Sequence, residues 1–356
     1  MRNRKYALQI ISDIINARLA RHLRHVIFLI AAILAGDPET VPAQSAAEFL
    51  RIGVGARAVA MGSAFVAIAD DGSAPYWNPA GLANSPTMQA TLSYVQLFGN
   101  LAQHQYLAAS CRFNNSVALG AGWIHLGVDD LPRYGPLQGT RFDRLLDPRL
   151  RSTGQPGGFF SNREDAFILS MARAIDLEFS FGHGLASSSL PARLAVGVNM
   201  KFLRHALESA RAVAQAVDLG VLLDLLGGDR VGAPRRQLSL GVHFQNLAAG
   251  GLAWNTPSKN REPIARRTFI GAAYRQAIPW LSGHFILSLA DRREHRGGVA
   301  LGGEYVLQNA LFLRAGLDGA RWSAGAGIAL WHGRFDYAFI PHELGSSHRL
   351  SATVEF

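Results

Sequence analysis

From Met88 to the last residue the sequence reads in twos. In RLAVGVNMKF, Leu194, Val196, Val198, Met200 and Phe202 share one face, and Arg193, Ala195, Gly197, Asn199 and Lys201 share the other. LSLGVHFQN repeats this, with Leu238, Leu240, Val242 and Phe244 set against Ser239, Gly241, His243 and Gln245. In ALFLRAGLD the apolar set is Leu311, Leu313, Ala315 and Leu317, with Arg314 and Asp318 opposite. Side chains of an extended chain alternate between two sides, so alternation of this length predicts strands with one apolar face. The pattern places them at 88–97, 103–112, 116–127, 165–175, 192–204, 212–224, 236–246, 266–276, 282–291, 298–306, 310–319, 322–331, 333–340 and 347–356. That is about fourteen segments of about ten residues, a length that crosses a bilayer at a tilt.

Alternation alone fits a soluble sandwich and a membrane barrel equally well. Two features favour the barrel. The face opposite the apolar one is built from small residues such as Gly197, Gly220, Gly241, Gly302 and Gly316 and is scarce in Lys and Glu, as a packed lumen would be. The final strand carries Leu350, Ala352, Val354 and Phe356 on one side and runs to the end of the sequence. Pairing that strand with the first removes the free sheet edge, and its end is where outer-membrane assembly machinery would read an insertion signal. With both barrel ends in the periplasm, the long connections 128–164 and 247–265 lie outside, and the short turns at Asn114–Asn115, Gln308–Asn309 and His332–Gly333 lie inside. Connections 176–191 and 225–235 are longer than that rule wants and leave room for a miscounted strand. The expected fold is all-β: a transmembrane antiparallel β-barrel over 88–356. On these faces Val198→Arg should cost roughly 2–4 kcal/mol and Asn199→Arg should be mild.

Composition narrows the class. Of 356 residues, 49% are hydrophobic and only 17% charged, yet no run of eighteen apolar residues follows the N-terminus. A single cysteine, Cys111, rules out an internal disulfide framework and a cysteine-based zinc site. The net charge of +9 comes from basic residues scattered singly rather than interleaved with aromatics, so no nucleic-acid partner is expected. At the start, Arg18, Arg21 and Arg24 precede an apolar run, Val26 to Ala35, too short to span a bilayer as a helix. VPAQSA follows, with small residues at Val41 and Ala43, or alternatively Ala46. Residues 1–43 therefore read as a signal peptide, with a mature chain beginning near Gln44 and working outside the cytoplasm.

Residues 44–87 differ from the rest in their small side chains and unclear period. Asp71 suits the cap of a short helical turn over Gly72 to Trp77, and Asn78-Pro79-Ala80-Gly81 is a turn sequence. A compact segment of this length before the first strand would fill the lumen as a plug. GARAVAMGSAFVAIADDGSAPYWNPAGLA, Gly55 to Ala83, closely resembles the N-terminal signature of the PorV/PorQ family of outer-membrane proteins. FDYAFIPHELGSSHRLSATVEF, Phe335 to Phe356, resembles that family's ending. The resemblance frames the whole mature chain and implies a FadL-like barrel of fourteen strands with an N-terminal hatch. It marks Gly55, Arg57, Met61, Gly62, Asp70, Asp71, Tyr76, Trp77, Asn78, Pro79 and Gly81 as the plug motif, and the strand of Leu350, Ala352, Val354 and Phe356 as the one that closes the barrel. It also implies a role in protein export of the type IX kind, through contacts with secretion-system components and cargo. The alternative is a FadL-like transporter for hydrophobic small molecules, and a third class is a barrel that only anchors an assembly.

Candidate chemistry is sparse. Asp70 and Asp71 are adjacent on a turn and should diverge, which suits a cap and a hydrogen bond rather than acid–base catalysis. Gly53-x-Gly55 lacks the strand and third glycine of a dinucleotide loop. His332, His342 and His348 crowd the last turns and could meet in space, although loop histidines are the simpler reading. Ser170 has no Gly-x-Ser-x-Gly setting. No enzyme, metal or cofactor is expected. Trp322, Tyr305, Phe335, Tyr337 and Phe339 near strand ends suit aromatic girdles against outer-membrane lipid. Tyr76 and Trp77 suit either packing on the inner wall or the border of a ligand path.

Overall fold

Period-two alternation becomes a meander in which each long strand pairs with the next. The computed structural model describes residues 46–356 apart from 114–115, 151–153, 182–187, 228–235 and 294–297. The expected signal peptide, 1–43, lies outside the described residues. The strands are β1 (Met88–Leu97), β2 (Ala102–Arg112), β3 (Val117–Arg133), β4 (Gly158–Phe181), β5 (Ser188–Leu207), β6 (Ala210–Gly227), β7 (Arg236–Ala249), β8 (Leu252–Trp254), β9 (Arg261–Glu262), β10 (Arg267–Ile278), β11 (Gly283–Arg293), β12 (Val299–Leu307), β13 (Leu311–Asp318), β14 (Arg321–Leu330), β15 (Gly333–Ile340) and β16 (Ser347–Glu355). β1 and β16 pair antiparallel, from Gln89 opposite Glu355 to Gln96 opposite His348, and β5 pairs with β6. Those two pairings close the circuit. β8 pairs with β6 at Ala212 and Val213, on the edge that β7 leaves, and β9 pairs with β8; the long strands form a closed barrel of fourteen antiparallel strands. The last strand therefore buries its edge on the first, as its alternation required.

The strand count holds, but two of the connections drawn from sequence do not. β3 and β4 continue past the expected boundary, so the connection 128–164 contracts to 134–157. β4 and β5 likewise convert most of 176–191 into strand, so its length signals a tall hairpin and no missing strand. Backbone hydrogen bonding between neighbours carries these hairpins beyond the stretch where side-chain alternation is clean.

The faces are inverted relative to a soluble protein. In β1, Gln89, Thr91, Ser93 and Val95 are buried while Met88 and Leu92 are exposed. In β16, Arg349, Ser351 and Thr353 are buried while Leu350 and Val354 point outward, and Phe356 just after the strand is exposed as well. Phe167, Leu169, Met171, Val198, Met200, Phe202, Leu287, Leu301 and Leu313 continue the exposed apolar band. A band of this kind is covered by hydrocarbon in a membrane barrel. Trp280 and Trp331 stand exposed at short turns, and Trp322, Phe335 and Tyr337 are exposed on the outer wall.

The inward face is not scarce in charge. Lys201, Asp218, Glu304, Arg314, Asp336 and Arg349 all lie buried on it. They are held by one another and by residues 46–87, which pack against the inner faces of the strands. This segment contains α1 (Ala56–Ala60), α2 (Ala74–Trp77) and 3-10 turns at Glu48–Arg51 and Pro79–Asn84. Ser351 Oγ accepts from Ala56 N at 2.8 Å; Ser323 Oγ accepts from Gly62 N at 3.1 Å and donates to Ala60 O at 3.0 Å. Backbone approaches wall closely enough to demand glycine: a Cβ on Gly316 would overlap Gly62 N, and one on Gly220 would overlap Asn78 Oδ1. The small residues on the inner face are thus seats for the lumenal segment.

Candidate functional site in the barrel lumen

Arg57, on α1, is the centre of the site. It is buried, and its guanidinium reaches three carboxylates. Nε and Nη2 donate to Glu304 Oε2 and Oε1 at 2.9 and 2.8 Å, and Nη1 donates to Asp70 Oδ1 at 2.6 Å and Asp71 Oδ2 at 3.1 Å. Glu304, on β12, also accepts from Arg314 Nε of β13 at 2.5 Å, the residue opposite it in the strand register. Arg314 Nη1 donates to Asp336 Oδ1 of β15 at 2.7 Å. Arg334 closes the loop, donating from Nε to Asp336 Oδ2 at 3.0 Å and from Nη2 to Asp71 Oδ2 at 3.2 Å. The result is an alternating ring, Arg57–Glu304–Arg314–Asp336–Arg334–Asp71, with Asp70 tied in addition to Arg275 of β10 at 2.8 Å.

Four guanidiniums meet four carboxylates, so the buried site is formally neutral. Charge-assisted, partly bidentate bonds of this kind are the strong ones, and removing one partner leaves its neighbours buried without a counter-charge. Burial works against ionisation of Arg57, but Asp70, Glu304 and Asp71 outweigh it and hold the guanidinium still further above its usual value. Burial would likewise raise the Asp70 carboxyl, and Arg57 with Arg275 holds it instead well below the usual carboxylate range.

A second polar cluster sits on β4–β7. Lys201 Nζ lies 2.7 Å from Asp218 Oδ1 and donates to Asn246 Oδ1 at 2.6 Å. Asn199 Nδ2 donates to Asp218 Oδ2 at 2.9 Å and to Pro75 O at 2.7 Å, which ties this wall to α2. Asn246 has a positive φ at the register shift between β6 and β7, and its N–H is satisfied by Asp218 at 2.8 Å. Near the end that carries connections 98–101 and 250–266 apolar side chains also line the lumen, beside the buried Arg349 and His104 that flank Val95 in the strand register. There Leu203 and Leu252 join a cluster with Phe49 and Leu50, and Val95, Leu97 and Ala102 pack with Ile52, Leu126 and Val128.

The residues of the expected plug motif all fall in this lumenal mass, with different tasks. Gly55 precedes α1 with φ of 76°. Met61 and Gly62 lie against Gly302 and Gly316. The Asp71 carboxylate accepts from Ser73 N at 2.9 Å and Ser73 Oγ at 2.6 Å, although Ser73 and not Asp71 immediately precedes α2. Asp70 and Asp71 do not diverge as their adjacency suggested: both turn onto Nη1 of Arg57, because a buried guanidinium gathers the carboxylates around it. Tyr76 Oη donates to Leu50 O at 2.5 Å and Trp77 Nε1 to Val54 O at 3.0 Å, so these rings brace the lumenal segment itself. Asn78 Nδ2 reaches Val66 O at 2.9 Å and Val221 O at 3.2 Å, and its Oδ1 accepts from Ala80 N at 3.1 Å. Pro79 packs on Gly220, and Gly81 on Ala69 O.

Glu304, Arg334, Asp336 and Arg275 went unread in the sequence, and Arg314 was read only as part of the polar side of its strand. The available signal was their position on the inward parity of their strands, where an unpaired charge would not be kept. The three histidines do not meet. His332 precedes β15, whereas His342 and His348 follow it, His342 against the Phe98 ring and His348 bonded to Tyr337 Oη at 2.8 Å. Among the described residues no group of three or more His, Cys, Asp or Glu is placed to hold a metal ion.

No family model matches this sequence, and no curated protein matches it. Solved structures similar to it include a Pseudomonas aeruginosa FadL homologue, at 14% identity and TM-score 0.42 over 85% of this chain and 97% of that one. The Ralstonia pickettii toluene transporter TbuX is similar at 12% identity and TM-score 0.34, over 85% and 97% of the two chains. The Pseudomonas putida toluene transporter TodX is similar at 14% identity and TM-score 0.36, again over 85% and 97%.

Proposed function

We propose that this chain is an outer-membrane β-barrel of the FadL type that admits hydrophobic small molecules through a lumen closed at rest by residues 46–87. The observation that carries the reading is the apolar cluster at one end of the lumen. That end buries Leu203, Leu252, Val95 and Leu97, with Phe49 and Leu50 of the lumenal segment in the same cluster as the two leucines, a surface that a hydrophobic solute can occupy at little desolvation cost. Deeper in, the segment is held by ion pairs, which can exchange partners when the segment shifts. The exposed apolar band supports placement in lipid, and export by the N-terminal signal would bring the chain to the outer membrane. The test is uptake of a panel of labelled hydrophobic solutes, toluene and a long-chain fatty acid among them, by cells with and without the protein. Loss of uptake on replacing Leu203 and Leu252 by Asp supports the reading; uptake independent of the protein overturns it.

A second reading, PorV/PorQ-type service to a secretion system, draws on connection 134–157. It carries α3 (Arg141–Leu146), started by a capping box in which Thr140 Oγ accepts from Asp143 N at 3.2 Å and the Asp143 carboxylate accepts from Thr140 N at 2.7 Å. Leu137, Phe142, Leu145 and Leu146 are exposed around it, as a protein-docking surface would have them. Loss of surface display of secreted cargo on deleting 134–157, with solute uptake intact, would favour this reading over the first.

A further inference from the structure

The barrel end that carries connections 113–116 and 279–282 holds a cavity of about 250 Å³ between the wall and the lumenal segment. Five charged residues line it: Arg112, Arg193, Arg275, Asp70 and Asp224. Most of that charge is already committed. Arg193 donates to Asn84 Oδ1 at 2.9 Å, to Ala83 O at 3.2 Å and to Asp176 Oδ1 at 2.8 Å. Asp224 accepts from Asn84 Nδ2 at 2.7 Å, Gln237 Nε2 at 2.9 Å and Ser239 Oγ at 2.5 Å, all neutral donors. Asp70 is held by Arg57 and Arg275.

What remains is donor capacity. Among the described residues the Arg112 guanidinium, half-buried in the wall of the cavity, has no hydrogen-bond or ion-pair partner. Arg275 uses Nη2 on Asp70 and also lines the cavity. A guanidinium presents paired N–H groups matched to two oxygens of an oxyanion. The enclosure is large enough for a phosphate-sized ion with a few waters and too polar to favour an apolar solute. We propose that this cavity binds a small oxyanion of the phosphate class on the Arg112 guanidinium. The site needs only the folded barrel, so it stands or falls separately from solute passage.

The test is calorimetric titration of the full-length protein in neutral detergent with inorganic phosphate, at ionic strength fixed with potassium chloride. Saturable single-site binding is expected. Arg112→Gln, which lies outside the ion-pair ring, should weaken it about tenfold or more. Asp224→Asn should tighten it, because a repelling charge leaves the cavity wall. Arg133→Gln, on β3 at the opposite end and paired with Glu208, should leave it unchanged. A further arm adds short-chain phosphatidylglycerol: competition identifies a lipid headgroup as the source of the oxyanion, and absence of competition identifies a free solute. The proposal is overturned by heat that does not saturate, or by equal phosphate affinity in wild type and a folded Arg112→Gln barrel. It is overturned too if Asp224→Asn weakens binding as much as Arg112→Gln does.

Discussion

Arg57 and Glu304 stand 247 positions apart in the chain and share two parallel hydrogen bonds, 2.9 Å and 2.8 Å, with both side chains almost wholly buried. One belongs to the lumenal segment and the other to the wall, so this pair fixes where the segment sits. Glu304 also neutralises Arg314, which makes it the member whose loss strands the most charge. Glu304→Gln should destabilise the barrel by about 3–5 kcal/mol. Arg57→Met should cost a similar amount, and the double variant clearly less than the sum, because the two side chains compensate each other. Urea melts of the four proteins in detergent check this; additive losses would mean the bonds do not couple the sites.

The contact between Gly62 and Gly316 leaves no room for a side chain. Gly316→Val should push the Met61–Gly62 turn off β13 at a cost of about 1–3 kcal/mol. Ion conductance across planar bilayers reads the consequence: wild type should stay closed, and the variant should show openings. A variant as silent as wild type would place the seal elsewhere.

The two sides of β5 should fail for different reasons. Val198→Arg puts a charge in the apolar band and should cost about 2–4 kcal/mol if that band is mid-bilayer. Asn199→Arg is not the mild change its inward parity suggested. Asn199 is fully buried and bonded to Ser170, Asp218 and Pro75 O, so the larger side chain should cost at least about 2 kcal/mol. The conservative pair separates the causes: Val198→Leu should be close to neutral and Asn199→Leu should not, as measured by thermal melts.

The pH dependence of the lumenal ion pairs follows from Asp70. Its carboxyl is held below the usual range in the folded barrel, because Arg57 and Arg275 more than offset its burial. A depressed folded value contributes stability that is complete above the unfolded value of about 4 and is lost as pH falls through the folded one. Asp70→Asn should therefore lower the melting point near about pH 7, and the gap to wild type should narrow as the medium is acidified below about pH 4. A gap that widens in acid would show that the charged form is not the one the fold prefers.

Much of the wall was legible because each strand states its own rule. Alternation in 88–97 or 347–356 is a property of neighbouring residues, and it placed both ends of β1 and began β16 at Ser347 within the sequence itself. The tall β4–β5 hairpin was less legible, since Ser188–Leu190 and Phe179–Phe181 are kept in strand by partner hydrogen bonds and not by a pattern of their own. The lumenal motif stood out as a run of small residues with Asp70, Asp71 and Asn78. The charges that answer it, Glu304, Arg314, Arg334 and Asp336, looked like ordinary polar positions on separate strands.

The period, a strand count near fourteen and the apolar side of each strand are local properties, because they depend only on residues one and two places apart. That the inward charges form one neutral ring with Arg57, that Asp70 and Asp71 converge, and that Arg112 is left over beside a cavity follow from the closed barrel alone. Those outcomes depend on which strands closure of the barrel brings opposite one another and on what fills the space between them. Electrostatic partners hundreds of residues apart carry no mark of each other until the chain has closed.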